Sequence, residues 1–119
     1  MPATLEGMKI LVVEDEYLVA DLLENVLAEA GCVVFGPIPR LAEAVEAADT
    51  TNCDIAVLDV NLAGESVSPV ADILARRQVP FIFITGYGQA ALPGRYAKRP
   101  RLGKPFRIAD LLRTLSNAA

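Results

Sequence analysis

Three acidic residues, Glu14, Asp15 and Asp59, one hydroxyl, Thr85, and one ammonium, Lys104, each stand at the end of a short apolar run. Together the acids and the lysine carry a net charge of −2. Carboxylates brought close together raise one another's proton affinity unless a cation intervenes. An all-oxygen set suits a hard divalent cation, most naturally Mg²⁺, which keeps several of its waters. A carboxylate in that setting can attack a phosphoryl group. Mg²⁺, the Lys104 ammonium and the Thr85 hydroxyl would then hold the phosphoryl oxygens and offset developing charge. Gly86, directly after Thr85, leaves the approach open.

Taken singly, each residue has an ordinary explanation; Asp59, for example, could cap a turn. The argument rests on whether the elements bring them together. Lys9 to Val13 is a β-branched run, and Leu18, Val19, Leu22, Leu23, Val26 and Leu27 recur at helical spacing until Gly31;. Cys32 to Phe35 predicts a second strand, closed by Gly36-Pro37 and Pro39, and Leu41, Ala44, Val45 and Ala48 a second helix. Ile55 to Leu58 is apolar throughout, as a strand covered on both faces must be;. A loop from Val60 to Ser66 follows Asp59. Ser68 as N-cap and Pro69 in the first turn open a third helix through Val70, Ile73 and Leu74;. Phe81 to Ile84 reads as a fourth strand. Glycine and proline between 86 and 100 permit at best one short helical turn around Gln89 to Leu92;. A brief fifth strand at Leu102 precedes a closing helix with Ile108, Leu111, Leu112 and Leu115.

Strands and helices therefore alternate, with connections long enough for crossovers, which predicts a parallel sheet covered by helices on both faces. In such a sheet all carboxyl ends share one edge, where ligands bind. Four of the five strands deliver a polar side chain to that edge, while the second ends in Gly and Pro and contributes no chemistry.

The 119 residues, 53% hydrophobic and 22% charged, predict a single ordered domain;. No apolar run reaches the ~18 residues of a membrane span, and the N-terminus lacks a secretory pattern, so a cytoplasmic location is expected. The absence of histidine excludes histidine acid–base chemistry and the common zinc sites, and Cys32 and Cys53 read as core residues;. Residues 1–75 hold two basic and fourteen acidic side chains, whereas 76–119 hold nine basic and one acidic. This asymmetry means either two mutually attracting faces or a basic surface for an acidic partner. With a net charge of −4 and no reading helix, nucleic acid is not an expected partner;.

The constellation Glu14-Asp15, Asp59, Thr85 and Lys104-Pro105-Phe106 resembles the receiver domain of bacterial two-component response regulators, over nearly the whole chain. The resemblance implies a three-layer, doubly wound (βα)5 flavodoxin-like fold with strand order 2-1-3-4-5. It implies that Asp59 accepts a phosphoryl group from a sensor histidine kinase or histidine phosphotransferase. It implies Mg²⁺ ligated by Asp15, Asp59 and the Asn61 backbone carbonyl, with Glu14 acting through water, and a cis Lys104-Pro105 peptide. Two departures narrow the subgroup: the usual aromatic switch position, three before the lysine, is Arg101, and the usual Met-Pro after the acceptor is absent. Phe83-Ile84-Thr85-Gly86-Tyr87 instead resembles the stand-alone receivers with a Phe-x-Thr-Gly-Tyr signature, whose fourth helix is short or mobile. Gly86 and Tyr87 are accordingly expected to carry the switch in place of an aromatic at 101.

The expected protein is thus one receiver over residues 1–119, with a core of about 8–117 and no output domain. It is no enzyme beyond its own phosphorylation and dephosphorylation. It would signal to a downstream protein through its 86–113 face, as a monomer or a phosphorylation-dependent dimer. A phosphate sink for a kinase is the alternative within this class. An Asp-nucleophile phosphohydrolase would need a general acid two residues beyond Asp59, and Asn61 is a poor one. A binding module with a vestigial pocket fits poorly with all five pocket positions being filled.

Overall fold

The computed structural model describes residues 5–86 and 92–119. In chain order the elements are β1 (Lys9–Val13), α1 (Tyr17–Glu29), β2 (Val33–Ile38), α2 (Leu41–Thr50), β3 (Ile55–Asp59), β4 (Asn61–Leu62), β5 (Glu65–Ser66), α3 (Ser68–Arg76) and β6 (Phe81–Thr85). A 3₁₀ turn (Gly94–Tyr96), β7 (Arg101–Gly103) and α4 (Ile108–Ala118) complete it. Five strands form a parallel sheet in the order β2-β1-β3-β6-β7. Setting aside the small β4–β5 hairpin, this is the expected 2-1-3-4-5 order.

The alternation of side chains along each strand divides the core in two. Leu11, Ala56, Leu58, Phe81 and Phe83 face α2 and α3, whose Ala44, Ala48, Val70 and Leu74 are buried against them. Ile10, Val12, Val57, Ile82 and Ile84 face α1 and α4, where Leu23, Leu27, Leu111 and Leu115 are buried. All five residues of β3 are buried, so its apolar run is required by two covered faces;. Each such large side chain contributes ~1.5–3 kcal/mol through burial. The strand that ends in Asp59 is thereby fixed at the centre of the molecule.

Several sequence expectations are corrected. β2 continues through Gly36-Pro37 to Ile38, and its register against β1 shifts between Leu11 and Val13. The extra residue lies where Pro37 has no amide to pair, as strand prolines require. Gly36 has φ +103, and a Cβ there would lie 2.5 Å from the Val12 carbonyl oxygen, so only glycine fits;. The loop after Asp59 contains the β4–β5 hairpin, turned by Ala63 and Gly64, both at positive φ;. Val67 is the N-cap of α3, with Ser68 and Pro69 already inside the helix. The helical stripe of α1 is narrower than its periodicity predicts, since Leu18 is 80% exposed. Cys53 is buried, but Cys32 is half-buried at the core's edge, with its thiol against the Leu5 carbonyl. The helical turn expected around Gln89–Leu92 falls mainly outside the described residues, and the 3₁₀ turn comes just after it, at Gly94–Tyr96. Among the described residues, no helix is long and apolar enough to cross a membrane.

Candidate functional site

The carboxyl edge of the sheet gathers the acids. Asp59 closes β3 and Glu14 directly follows β1, each only 1% exposed, and Asp15 lies half-buried beside them. One carboxylate oxygen from each of the three lies within 4.8 Å of the others. β1 and β3 are hydrogen-bonded neighbours with Val13 opposite Leu58, so the next residues must emerge side by side.

Lys104 reaches the same point from two strands away. Its amide donates to the Thr85 carbonyl at 2.7 Å, extending the β6–β7 ladder and aiming the side chain back over the edge. Its ammonium donates to Glu14 Oε2 at 3.2 Å, to Glu16 Oε1 at 2.6 Å and to Asp59 Oδ2 at 3.3 Å. Glu14 Oε1 is also 3.0 Å from Nζ, yet without hydrogen-bonding geometry, and it is a buried oxygen with no hydrogen-bond donor. Glu16 was not among the residues singled out from sequence. The signal is only partial: Glu14 and Glu16 are two apart, but both lie beyond β1, where strand alternation no longer sets the direction of a side chain;.

Backbone amides fix the acids. Glu14 accepts from the Glu16 amide at 3.0 Å, Asp59 from the Asn61 amide at 3.2 Å, and Asp15 from the Ala63 amide at 3.0 Å. The Asn61 side chain accepts from the Gly64 amide at 2.7 Å, which closes the β4–β5 turn and holds Ala63 where it meets Asp15. A second role for Asn61 thus emerges beside its expected carbonyl: its side chain shapes the loop flanking the acids. Thr85 stands at the end of β6, its hydroxyl 3.5 Å from the Leu102 carbonyl, a weak contact that leaves it available;.

The electrostatics follow from this crowding. Burial, then the close carboxylate and negative charge of Glu14, push the Asp59 carboxyl up to about 6, against the opposing pull of Asp15 and Lys104. Burial and Asp59 also raise Asp15, although the Ala63 amide opposes them. Burial alone would depress the Lys104 ammonium, but Glu16, Glu14 and Asp59 together raise it above its ordinary value. One lysine therefore faces three neighbouring carboxylates and cannot neutralise them. The all-oxygen donor set and the unsatisfied Glu14 Oε1 fit a hard divalent cation;.

The remaining positions are more dispersed. The Lys104-Pro105 peptide is cis, as is Gly36-Pro37. Gly86 follows Thr85 at the same edge, and Tyr87 lies outside the described residues. Arg101 is exposed, and its guanidinium donates to the carbonyls of Tyr96 at 3.1 Å and Ala97 at 3.3 Å, fastening the 3₁₀ turn. Several basic residues of the second half are engaged within the fold: Arg95 with Asp72, Arg113 with Asp110, and Arg77 with the carbonyls of Ala48 and Thr51. Among the described residues, the salt bridges that join the two halves are those of Arg95 and Lys104, so internal pairing accounts for only part of the charge asymmetry.

A parallel sheet of this order, with an acidic cluster and a lysine paired to it at the carboxyl edge, defines a doubly wound α/β protein with its candidate site at the strand ends, and the comparisons with known proteins name its family;. Residues 10–116 match the response regulator receiver domain family, and the chain belongs to that family. The receiver expectation from sequence is met. PhyR, the phyllosphere-induced regulator of Methylorubrum extorquens, is 34% identical over 117 residues, covering 92% of this chain and 43% of PhyR. The chain spans about half the length of the curated relatives that it matches. The solution structure of SdrG from Sphingomonas melonis Fr1 is 38% identical with a TM-score of 0.84, covering 92% of this chain and 94% of that one. The receiver domain of the sensor histidine kinase PA1611 from Pseudomonas aeruginosa PAO1 is 27% identical with a TM-score of 0.78, covering 94% of this chain and 97% of that one. That structure holds a magnesium ion in its active-site cleft.

Proposed function

We propose that this receiver accepts a phosphoryl group on Asp59 from a phosphohistidine of a sensor kinase or phosphotransferase, and signals through protein contacts. The observation that carries the reading is the pairing of a buried carboxylate, Asp59, with Lys104 at 3.3 Å inside a cluster of three acids. With its affinity for protons raised only to about 6, Asp59 is mostly ionised at pH 7 and can act as a nucleophile;.

Asp15, Asp59 and the Asn61 carbonyl would hold Mg²⁺, with Glu14 at one remove. When bound, Mg²⁺ supplies charge neutralisation for the anionic phosphoryl group. An Asp59 oxygen attacks phosphorus, the bond from phosphorus to the histidine nitrogen breaks, and the nitrogen keeps that electron pair; a proton already carried by the other ring nitrogen lets the histidine leave as a neutral imidazole. Lys104 exchanges part of its contact with Asp59 for a phosphoryl oxygen, and the Thr85 hydroxyl donates to another. Water later cleaves the acyl phosphate, releasing inorganic phosphate and restoring the carboxylate. Gly86 and Tyr87, which adjoin Thr85 in sequence, would transmit the change to the 86–113 face. Arg101 is built into that face as the clasp of its 3₁₀ turn.

The test is incubation with Mg²⁺ and acetyl phosphate followed by intact mass measurement. One added phosphoryl group, about 80 Da, present in the parent and absent from Asp59→Ala, is expected. Sustained turnover of an external phosphoester without a covalent species would overturn the reading in favour of a hydrolase.

A further inference from the structure

An open groove of about 760 Å³ runs between α3 and the 3₁₀ turn, and none of the three clustered acids lines it. Its apolar lining includes Pro69, Ile73 and the buried Tyr96, and its charged lining includes Arg76, Arg95, Arg99 and Asp72. Asp72 is already occupied. Arg95 binds it through two nitrogens, at 3.1 and 3.2 Å, and the Tyr96 hydroxyl donates to it as well. Tyr96 first, then Arg95, holds the Asp72 carboxyl below the usual carboxylate range. Arg76 and Arg99 have no carboxylate partner among the described residues. The Arg99 guanidinium rests 4.1 Å from the centroid of the Phe81 ring, which orients it without neutralising it;.

We infer that this groove docks an acidic peptide segment of a partner protein, carrying at least two carboxylates around an apolar side chain. Two guanidiniums that form no salt bridge among the described residues, Arg76 and Arg99, supply forked donors matched to carboxylates;. Ile73, Pro69 and Tyr96 supply a surface for the apolar side chain. The internally paired Arg95–Asp72–Tyr96 set fixes the wall between them, so little ordering accompanies binding. A nucleic-acid strand is a poorer fit, because tracking a phosphate backbone needs a continuous run of cations, and here Asp72 and the apolar Pro69 and Ile73 interrupt it;.

The groove also touches the signalling sheet. Tyr96 packs against Phe83 with ring centroids 5.8 Å apart, and Phe83 lies two residues before Thr85 on β6. The inference deepens the proposed signalling role by naming a partner surface, and rests on that role only for its biological meaning. It is tested on the unphosphorylated chain, so its failure would leave Asp59 chemistry untouched.

A random dodecapeptide display library is panned on the purified protein, and enriched sequences are synthesised with a fluorescein label. Enrichment of peptides with two or more Asp or Glu residues flanking an aliphatic or aromatic one is expected. Arg76→Glu, at an exposed position, should weaken their binding about tenfold, and backbone amide shifts should cluster at 69–76 and 94–99. Arg107→Glu makes the same charge change outside the groove and should leave affinity within about twofold. Enrichment without acidic preference, an equal loss in Arg107→Glu, or shifts located elsewhere would overturn the proposal. So would tighter, Arg76-dependent binding of single-stranded RNA or of anionic lipid vesicles.

Discussion

The Lys104 ammonium lies 3.3 Å from the Asp59 carboxylate although the two residues end strands separated by a third, and the same nitrogen spans Glu14 and Glu16. One cation thus ties β7 to β1 and β3 across the carboxyl edge. Removing one partner of a buried ionic group leaves the others uncompensated. Lys104→Met is expected to lower unfolding free energy by ~3 kcal/mol at pH 7 without divalent cations, measured by urea titration. A loss under ~1 kcal/mol would mean that water already solvates the acids.

Asp59 gives the unliganded protein a definite pH dependence. Its folded-state proton affinity, about 6, lies above the ordinary aspartate value of 3.8. Its stabilising contribution is therefore fully present below about pH 4 and lost as the pH rises through 6, a change of about 3 kcal/mol. In divalent-free buffer, the stability difference between Asp59→Asn and the parent should grow from pH 4.5 to 7, with the variant gaining. A constant difference across that range would contradict the assignment.

Adding Mg²⁺ should reverse that cost. At one hundred times its dissociation constant the ion would add ~2.7 kcal/mol to stability, visible as a shift in the urea midpoint. Asp15 is half-buried, so Asp15→Asn should fold while weakening the Mg²⁺ response at least tenfold;. An unchanged response in that variant would remove Asp15 from the ligand set.

Arg101 fastens the 3₁₀ turn through two carbonyls. Arg101→Ala should speed amide exchange at residues 96–99 by roughly fivefold, equivalent to ~1 kcal/mol for exposed charge-assisted bonds. Exchange rates in β3 should remain unchanged. If residues 96–99 exchange no faster, the clasp is incidental.

Gly36 is the backbone constraint on β2. A Cβ would meet the Val12 carbonyl oxygen at 2.5 Å and the Ile38 amide nitrogen at 2.9 Å, both unable to yield easily. Gly36→Ala should cost ~3 kcal/mol or more, read from thermal or urea unfolding. A cost under ~1 kcal/mol would show that β2 can shift its register.

Much of this arrangement was legible from local pattern. The five parallel strands follow from short β-branched runs alternating with helical periods, and the central place of Ile55 to Leu58 from its lack of a polar face. The meeting of Glu14, Asp15, Asp59 and Lys104 follows because parallel strands must end on one edge. Less legible were contacts made by loops. Glu16 joins Lys104 only because the chain turns into α1 there, and Leu18 is exposed although it falls on the apolar period of α1. The β4–β5 hairpin depends on Ala63 taking a positive φ, which its residue type does not announce.

What the sequence determined by itself was therefore the periodicity, the strand polarity and the identity of the groups at strand ends, since each depends on residues near in the chain. Tertiary structure alone decided which charges neutralise which. It set Lys104 against three carboxylates, Arg95 against Asp72 and Arg101 against two carbonyls, and it left Arg76 and Arg99 without carboxylates among the described residues. Long side chains reach partners distant in sequence, and Coulomb attraction depends on separation and burial in space. The second half's basic excess could be counted in the sequence, but only the fold distinguished the arginines paired with a carboxylate from Arg76 and Arg99, which have none among the described residues.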